Sequence, residues 1–211
     1  MKIKTMLAIL FAGIFSVSTF AATQYSKEQL PEFEKKLAEA KTPSRKFHVA
    51  VRIKVGFSEI TSFEQIKTIS EQVAKEYNFT DRKTIDDFVI SVGLWWWDFQ
   101  FRTEAIKMAI QTKNKQQYYA VLLFEKIVNT LMSPSERFAI IKEGLENKQF
   151  DPKRIVLAVE KMCEIGEKIE KQDELKTTLQ KLNRIYTPML AKDKTNYEKA
   201  VAYIRLTLNA Y

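Results

Sequence analysis

The feature that most constrains this chain is helical periodicity, which runs from about residue 28 onward behind well-marked helix starts. At one of these starts, Ser133 is suited to cap a helix, Pro134 to occupy its first position and Glu136 to return a hydrogen bond to the cap. Behind the starts, apolar residues recur at intervals of three and four. The clearest series is Leu175, Leu179, Leu182, Ile185 and Met189. This spacing lines one face of a helix that must pack against another element, so the chain is predicted to be all-α.

The helix starts follow one another closely, and the linkers between the helices are only a few residues long. Short linkers make neighbouring helices antiparallel. We therefore predict about eight or nine antiparallel helices, arranged either as a helical bundle or as a short α-solenoid of stacked hairpins. The predicted helices cover residues 28–40, 43–56, 62–78, 81–112 (with a break near Asp98 as an alternative), 115–132, 134–147, 152–171, 173–190 and 196–210.

One segment fits two structures. Between residues 47 and 57, apolar residues alternate with more polar ones, as they do in a half-buried strand. Thr42 and Pro43, however, form a helix start, and Gly56 is well placed to end a helix. Because no other segment alternates as clearly, a strand here would lack a partner. The segment is therefore predicted to be helical.

The first 21 residues have the pattern of an export signal. Two lysines precede an apolar stretch, and the small residues near Ala21 suit a signal peptidase. We predict cleavage after Ala21, which leaves residues 22–211 as a single all-helical domain without a transmembrane segment. This domain would be exported to the periplasm of a Gram-negative bacterium or secreted. The alternative is an uncleaved membrane helix, since the uncharged run from Thr5 to Thr23 is nearly long enough to span a bilayer.

The chain has a single Cys, a single His and a formal net charge of +8. One cysteine cannot form an internal disulfide, and one histidine cannot supply a two-histidine metal site. Cys163 lies in an apolar helical stripe and is predicted to be a buried, inert thiol rather than a nucleophile. His48 lacks the nearby acidic residue that usually orients a catalytic histidine. We therefore expect no catalytic residue, no metal site and no bound cofactor.

Acidic residues are numerous, but helical spacing matches most of them with lysines. Asp86 and Asp87 are best explained by the support that they give to a helix start. The sequence contains no nucleotide-binding, haem-attachment or EF-hand motif and no nucleophile elbow. These observations favour a protein that is not an enzyme. The alternative is a hydrolase whose carboxylate site has no recognised motif.

Residues 85–110 contain the most informative pattern, because a helix in this segment is apolar on two opposite sides. The first side carries Ile85, Phe88, Val89, Val92, Trp96, Phe99, Ile106 and Ile110. The second side, here called the second stripe, carries Ile90, Leu94, Trp97, Phe101 and Met108. Such a helix either runs through the centre of the protein or leaves one side exposed as a groove wall. In the latter case the second stripe is the candidate partner-binding surface, since stiff aromatic rings lose little entropy on binding.

A basic cluster lies near the beginning of the predicted domain. It consists of Lys41, Arg45, Lys46, Arg52 and Lys54, and no acidic residue lies between them. One interpretation is a solvated helix surface. The functional interpretation is a patch for an anionic partner, such as a phosphate-bearing lipid, lipopolysaccharide, a cell-wall polymer or an acidic protein. Nucleic acid also binds basic patches, but the predicted export argues against it.

These patterns together predict an exported, non-enzymatic helical protein. We expect it to bind a protein, a peptide or an envelope component through the second stripe. The alternative binding function is recognition of an envelope lipid or polymer through the basic cluster.

Overall fold

The computed structural model describes residues 25–96 and 98–211. Within these ranges the chain is all-α, as predicted, and no residue lies in a β-strand. A 3₁₀ turn at Lys27–Gln29 precedes eleven α-helices. They are α1 (Leu30–Ala38), α2 (Pro43–Gly56), α3 (Phe63–Glu76), α4 (Arg82–Trp95), α5 (Phe99–Gln111), α6 (Gln116–Leu123), α7 (Glu125–Leu131), α8 (Pro134–Glu146), α9 (Pro152–Lys168), α10 (Gln172–Lys192) and α11 (Lys194–Leu208).

The described helices outnumber the predicted eight or nine because two of the predicted helices are each divided in two. The first division separates α4 from α5 and lies next to Asp98, where the sequence offered a break as an alternative. The second division separates α6 from α7 at Phe124, whose backbone angles are φ −110° and ψ 50°. No local feature of the sequence indicates this second break.

The segment that fitted both a strand and a helix is helix α2, so the helical prediction is confirmed. Thr42 caps it, because its hydroxyl accepts a hydrogen bond from the backbone N–H of Arg45 at 3.2 Å. Phe47, Val51 and Val55 are spaced four residues apart on one face, and all three are buried in the core. Burial of this face supplies the packing that a marginal isolated helix needs.

The helices pack as a stack of five hairpins. The hairpins pair α1 with α2, α3 with α4, α5 with the divided α6 and α7, α8 with α9, and α10 with α11. Every extensive contact in the described part of the chain joins helices of one hairpin or of neighbouring hairpins. Packing between successive hairpins is consistent with both arrangements that the sequence predicted, a helical bundle and a short α-solenoid.

Three hairpins share the same turn after their first helix. Asn78, Lys113 and Lys148 have positive φ angles of 49°, 48° and 56°, and they follow one another at intervals of 35 residues. The residue after each one donates a backbone hydrogen bond to the preceding helix, as Phe79 does to the carbonyl of Ala74 at 2.8 Å. This left-handed turn closes a helix end. The same turn recurs at Glu170, with φ 58°, between α9 and α10, so it closes helix ends both within and between hairpins.

Helix α4 crosses its neighbours at a very short distance. A Cβ atom at Gly93 would lie 2.5 Å from Cε2 of Phe63 in α3 and 2.8 Å from Cβ of Ala105 in α5. Only glycine allows this approach, because any larger residue would push the three helices apart. The crossing fixes the end of α4 and therefore the position of the aromatic residues that follow.

Two predictions remain, one on membrane-spanning helices and one on the N-terminal segment. Among the described residues, no helix combines the length and the apolar composition needed to cross a bilayer. The predicted signal peptide, residues 1–21, lies outside the described residues. It stays a prediction, as does the proposed domain boundary at residue 22.

Candidate functional site

The candidate site is the junction between α4 and α5. Helix α4 ends at Trp95, and Trp96 has an extended backbone with φ −64° and ψ 145°. Asp98 then starts α5, since its carboxylate accepts hydrogen bonds from the backbone N–H groups of Gln100 at 2.7 Å and Phe101 at 3.4 Å. An aspartate in this position satisfies free backbone donors and favours a new helix.

Most of the second stripe is buried, whereas an exposed surface was expected. Ile90, Leu94 and Phe101 are buried, with exposed fractions of 0%, 1% and 6%. The expectation was wrong for these three residues, because α4, which carries Ile90 and Leu94, packs against α3, α5 and α6, and Phe101 on α5 lies in the same core. Met108 is half-buried. Trp97, the fifth member of the stripe, lies outside the described residues.

Aromatic side chains at the junction keep part of their surface exposed, although three of them also pack against the core. Trp95, Trp96 and Phe124 are each partly exposed. Phe99, the first residue of α5, is 56% exposed. The ring of Trp95 meets that of Phe124 edge to face, with 5.9 Å between the centroids. We call these four residues the aromatic platform.

Arg102 joins the two helix ends that meet in the platform. Its Nε donates a 2.6 Å hydrogen bond to the carbonyl oxygen of Trp96, just beyond α4. Its guanidinium carbon lies 6.0 Å from the centroid of the Phe124 ring, which follows α6. The C-terminal ends of helices carry partial negative charge, and aromatic faces attract cations. Arg102 therefore holds Trp96 and Phe124 through one positively charged group.

Arg137 fixes the break that places Phe124. It lies on α8 with only 3% of its side chain exposed. Its Nε donates to the carbonyl oxygen of Val121 at 3.0 Å, and its Nη1 donates to Glu125 and Asn129 at 3.1 Å each. The interrupted helix leaves the Val121 carbonyl without its usual partner, and the guanidinium supplies a donor in its place.

Sequence reasoning missed most of the aromatic platform. Winding one continuous helix through residues 85–110 put Trp96 and Phe99 on a single buried side. The break before Asp98 resets the helical phase, so that Phe99 emerges into solvent while Phe101 turns inward. The available signal was Asp98 itself, a strong helix cap in the middle of an apolar run. Phe124 and Arg102 had no signal of this kind.

The residues of the basic cluster differ in their exposure and in their pairing. Lys41, Arg45 and Lys46 are exposed, whereas Arg52 is half-buried. Lys54 forms an ion pair with Glu76 of α3, so its charge is locally compensated. The five predicted positions therefore lie on or beside one helix, but they do not form a uniform cationic surface.

Cys163 and His48 both lie in apolar surroundings. Cys163 is 8% exposed, and burial raises the pKa of its thiol to about 11, which disfavours the reactive thiolate. His48 stacks on Phe88 with 5.1 Å between ring centroids. Burial, with the Arg52 charge as a second cause, lowers the pKa of His48 to about 4. The imidazole is therefore uncharged at neutral pH.

Half of the acidic residues in the described ranges belong to ion pairs. Asp86 lies 2.8 Å from Arg82, and Asp87 lies 3.5 Å from Lys115. Hydrogen bonds from two lysines lower the pKa of Glu164 to about 2. All resolved shifts of carboxyl pKa values in the described ranges are downward, whereas a general acid requires an upward shift. No cluster of His, Cys, Asp and Glu in those ranges is arranged to hold a metal ion.

A shallow depression of about 330 Å³ lies between α3, α4 and α5. Phe63 and Met108 supply its apolar surface. Its other lining residues are Glu64, Lys67, Arg82, Glu104, Lys107 and Gln111. Ion pairs of 2.7 Å and 2.9 Å join each glutamate to the lysine three residues later. Because acidic and basic groups alternate there, the depression does not favour one class of ligand.

The chain was compared with protein-family models, curated proteins and solved structures, and none of them matches it. The fold and the candidate site define an all-α protein of stacked hairpins with exposed aromatic residues at one helix junction.

Proposed function

We propose that the protein is an exported, non-enzymatic helical-repeat protein that binds a segment of a partner protein through the aromatic platform. One observation carries this proposal. Phe99 is 56% exposed at a junction where Trp95, Trp96 and Phe124 are also partly exposed. Clustered exposed aromatic residues are typical of interaction sites in soluble proteins.

The energetics favour binding at this place. Full burial of a Phe side chain contributes about 1.5–3 kcal/mol relative to an exposed one, and Phe99 has more than half of its surface available. Arg102 holds the extended backbone at Trp96 through a 2.6 Å hydrogen bond, and the Gly93 crossing fixes the end of α4. A platform fixed in this way loses little further entropy when a partner covers it.

The surroundings of the ionisable groups support a binding role rather than catalysis. An acid or base catalyst needs a pKa near the working pH. The pKa of Cys163 is raised to about 11, that of His48 is lowered to about 4 and that of Glu164 is lowered to about 2. None of these three groups is poised to exchange a proton at neutral pH.

The proposal is tested by capture of partners from an envelope extract with the mature chain and two variants. Phe99→Ser removes the most exposed member of the platform, and Leu206→Ser is the matched control at another exposed apolar residue, on α11. We expect Phe99→Ser to reduce capture of a protein partner at least tenfold and Leu206→Ser to leave it unchanged. Because both side chains are exposed, neither variant should alter the helix content. Equal capture by the two variants would contradict the proposal.

A further inference from the structure

We infer that one face of α2 docks on an anionic phospholipid surface. This cationic face consists of Lys41, Arg45, Lys46, Val49 and Ile53. It lies in the first hairpin, away from the α4–α5 junction, and it does not depend on the proposed function of the aromatic platform. Its ligand chemistry is that of phosphate groups at the surface of a bilayer.

The face combines charge with apolar surface along one side of the helix. Arg45, Val49 and Ile53 follow one another at intervals of four residues, and Lys46 lies beside them. Arg45 and Lys46 are exposed, and Val49 and Ile53 are half-buried. Apolar side chains flanked by cations are typical of helices that lie in a membrane interface.

The cations of the face are available to an external anion. Within residues 25–96 and 98–211, Lys41, Arg45 and Lys46 belong to none of the ion pairs. No acidic residue occurs in the sequence between Glu39 and Glu59. Their positive charges therefore add together over the first turn of the helix and the two residues that precede it.

Acidic residues on the adjoining helices pair with other cations, with the exception of Glu34 on α1, which belongs to no ion pair in the described ranges. On α1, Glu32 pairs with Lys36 at 2.6 Å, and Glu39, just after this helix, lies 4.0 Å from Lys35. On α3, Glu76 pairs with Lys54. In these pairs the neighbouring negative charges are compensated by other lysines. The positive potential of the cationic face is therefore largely preserved.

A bilayer fits this surface better than an acidic protein segment does. The cations and the apolar side chains all belong to α2 and the residues just before it, so they form one open face rather than a cleft around a peptide. An anionic membrane offers phosphates across the whole face, and its interfacial region accepts Val49 and Ile53. Charge complementarity and interfacial insertion therefore act in the same direction.

The test is co-sedimentation of the mature chain with vesicles of phosphatidylcholine, with or without phosphatidylglycerol. The variant Arg45→Gln/Lys46→Gln removes two charges from the face, and Lys126→Gln/Lys199→Gln removes the same number from exposed positions on α7 and α11. We expect the first variant to bind anionic vesicles about 25-fold more weakly, since each cation near such a surface contributes a factor of about five, or about 1 kcal/mol. The control should bind like the unmodified chain.

Salt and a second variant complete the test. Binding should weaken steeply as added salt shortens the screening length from about 30 Å to about 8 Å. Ile53→Ser should weaken binding even at low salt, because it removes interfacial insertion. Equal binding to both vesicle types, or an equal loss in the two double variants, would overturn the inference. Binding to a soluble acidic peptide but not to vesicles would also overturn it, in favour of a protein partner.

Discussion

Replacement of Arg137 tests whether a buried guanidinium holds the break between α6 and α7. Arg137→Met keeps most of the apolar stem and removes every donor. The variant leaves the Val121 carbonyl, 3.0 Å from Nε, without its donor, and it removes the contacts to Glu125 and Asn129. The matched control is Glu125→Gln, which alters the carboxylate partner and keeps the guanidinium in place.

The expected loss of stability follows from these contacts. An unsatisfied buried carbonyl costs about 1–3 kcal/mol. The ion pair joins a guanidinium that is 3% exposed to a carboxylate that is 45% exposed, so solvent screens it only in part. We expect Arg137→Met to lower the free energy of unfolding by about 2 kcal/mol. The control should lower it by less, because the guanidinium keeps its hydrogen bonds to the Val121 carbonyl and to Asn129.

The assay is urea unfolding followed by circular dichroism and by tryptophan fluorescence. All three tryptophans are adjacent, at positions 95–97, so the fluorescence reports on the α4–α5 junction alone. Trp95 packs on Phe124, and loss of the break should therefore change the emission of the native protein as well as its stability. If Arg137→Met were as stable as the unmodified chain, with the same native emission, the role of Arg137 would be refuted.

Four further predictions concern the core, a thiol, a carboxylate and export. Phe101→Ala should cost about 3–5 kcal/mol in urea unfolding, because this ring is 6% exposed, whereas Phe99→Ala should cost less than about 0.5 kcal/mol. Cys163 should react with a thiol reagent at pH 8 far more slowly in the native protein than after unfolding, because burial raises its pKa to about 11. The pKa of Glu164 in the folded protein is lowered from 4.5 to about 2. Its stabilising contribution should therefore be present above pH 4.5 and be lost as the pH falls toward 2. In Glu164→Gln, the free energy of unfolding should lose this part of its dependence on acid pH. N-terminal sequencing of the exported protein should begin at Ala22, and a full-length membrane-bound product would contradict the predicted cleavage.

The helix starts were predictable because their signals are local. Ser133 accepts a hydrogen bond from the backbone N–H of Glu136 within the capping box that the sequence indicated, and Ser62 accepts one from Gln65 in the same way. Cap residues act through contacts with their own first turn, so a single sequence suffices to find them. The break at Phe124 is different, because its cause is Arg137 on the following hairpin. A contact between residues that are distant in the sequence cannot be predicted from the local spacing of apolar residues.

The candidate site was less predictable than the fold, because exposure depends on which helices cover a given side. The apolar pattern marked both sides of residues 85–110 as suitable for burial, and the structure buries Leu94 and Phe101 among the neighbouring helices. Phe99 is exposed only because Asp98 starts a new helix with a different phase. The pattern drew attention to the aromatic segment but could not tell which of its residues face solvent.

Site-specific photo-cross-linking tests the central claim most directly, namely that the aromatic platform is a surface for a partner protein. A benzophenone amino acid would replace Phe99 in the exported chain, and the same group at Leu206 would serve as the control at another exposed apolar position. Irradiation of intact cells should give one discrete adduct from position 99 and none of the same mass from position 206. No adduct from position 99, or the same adducts from both positions, would contradict the account.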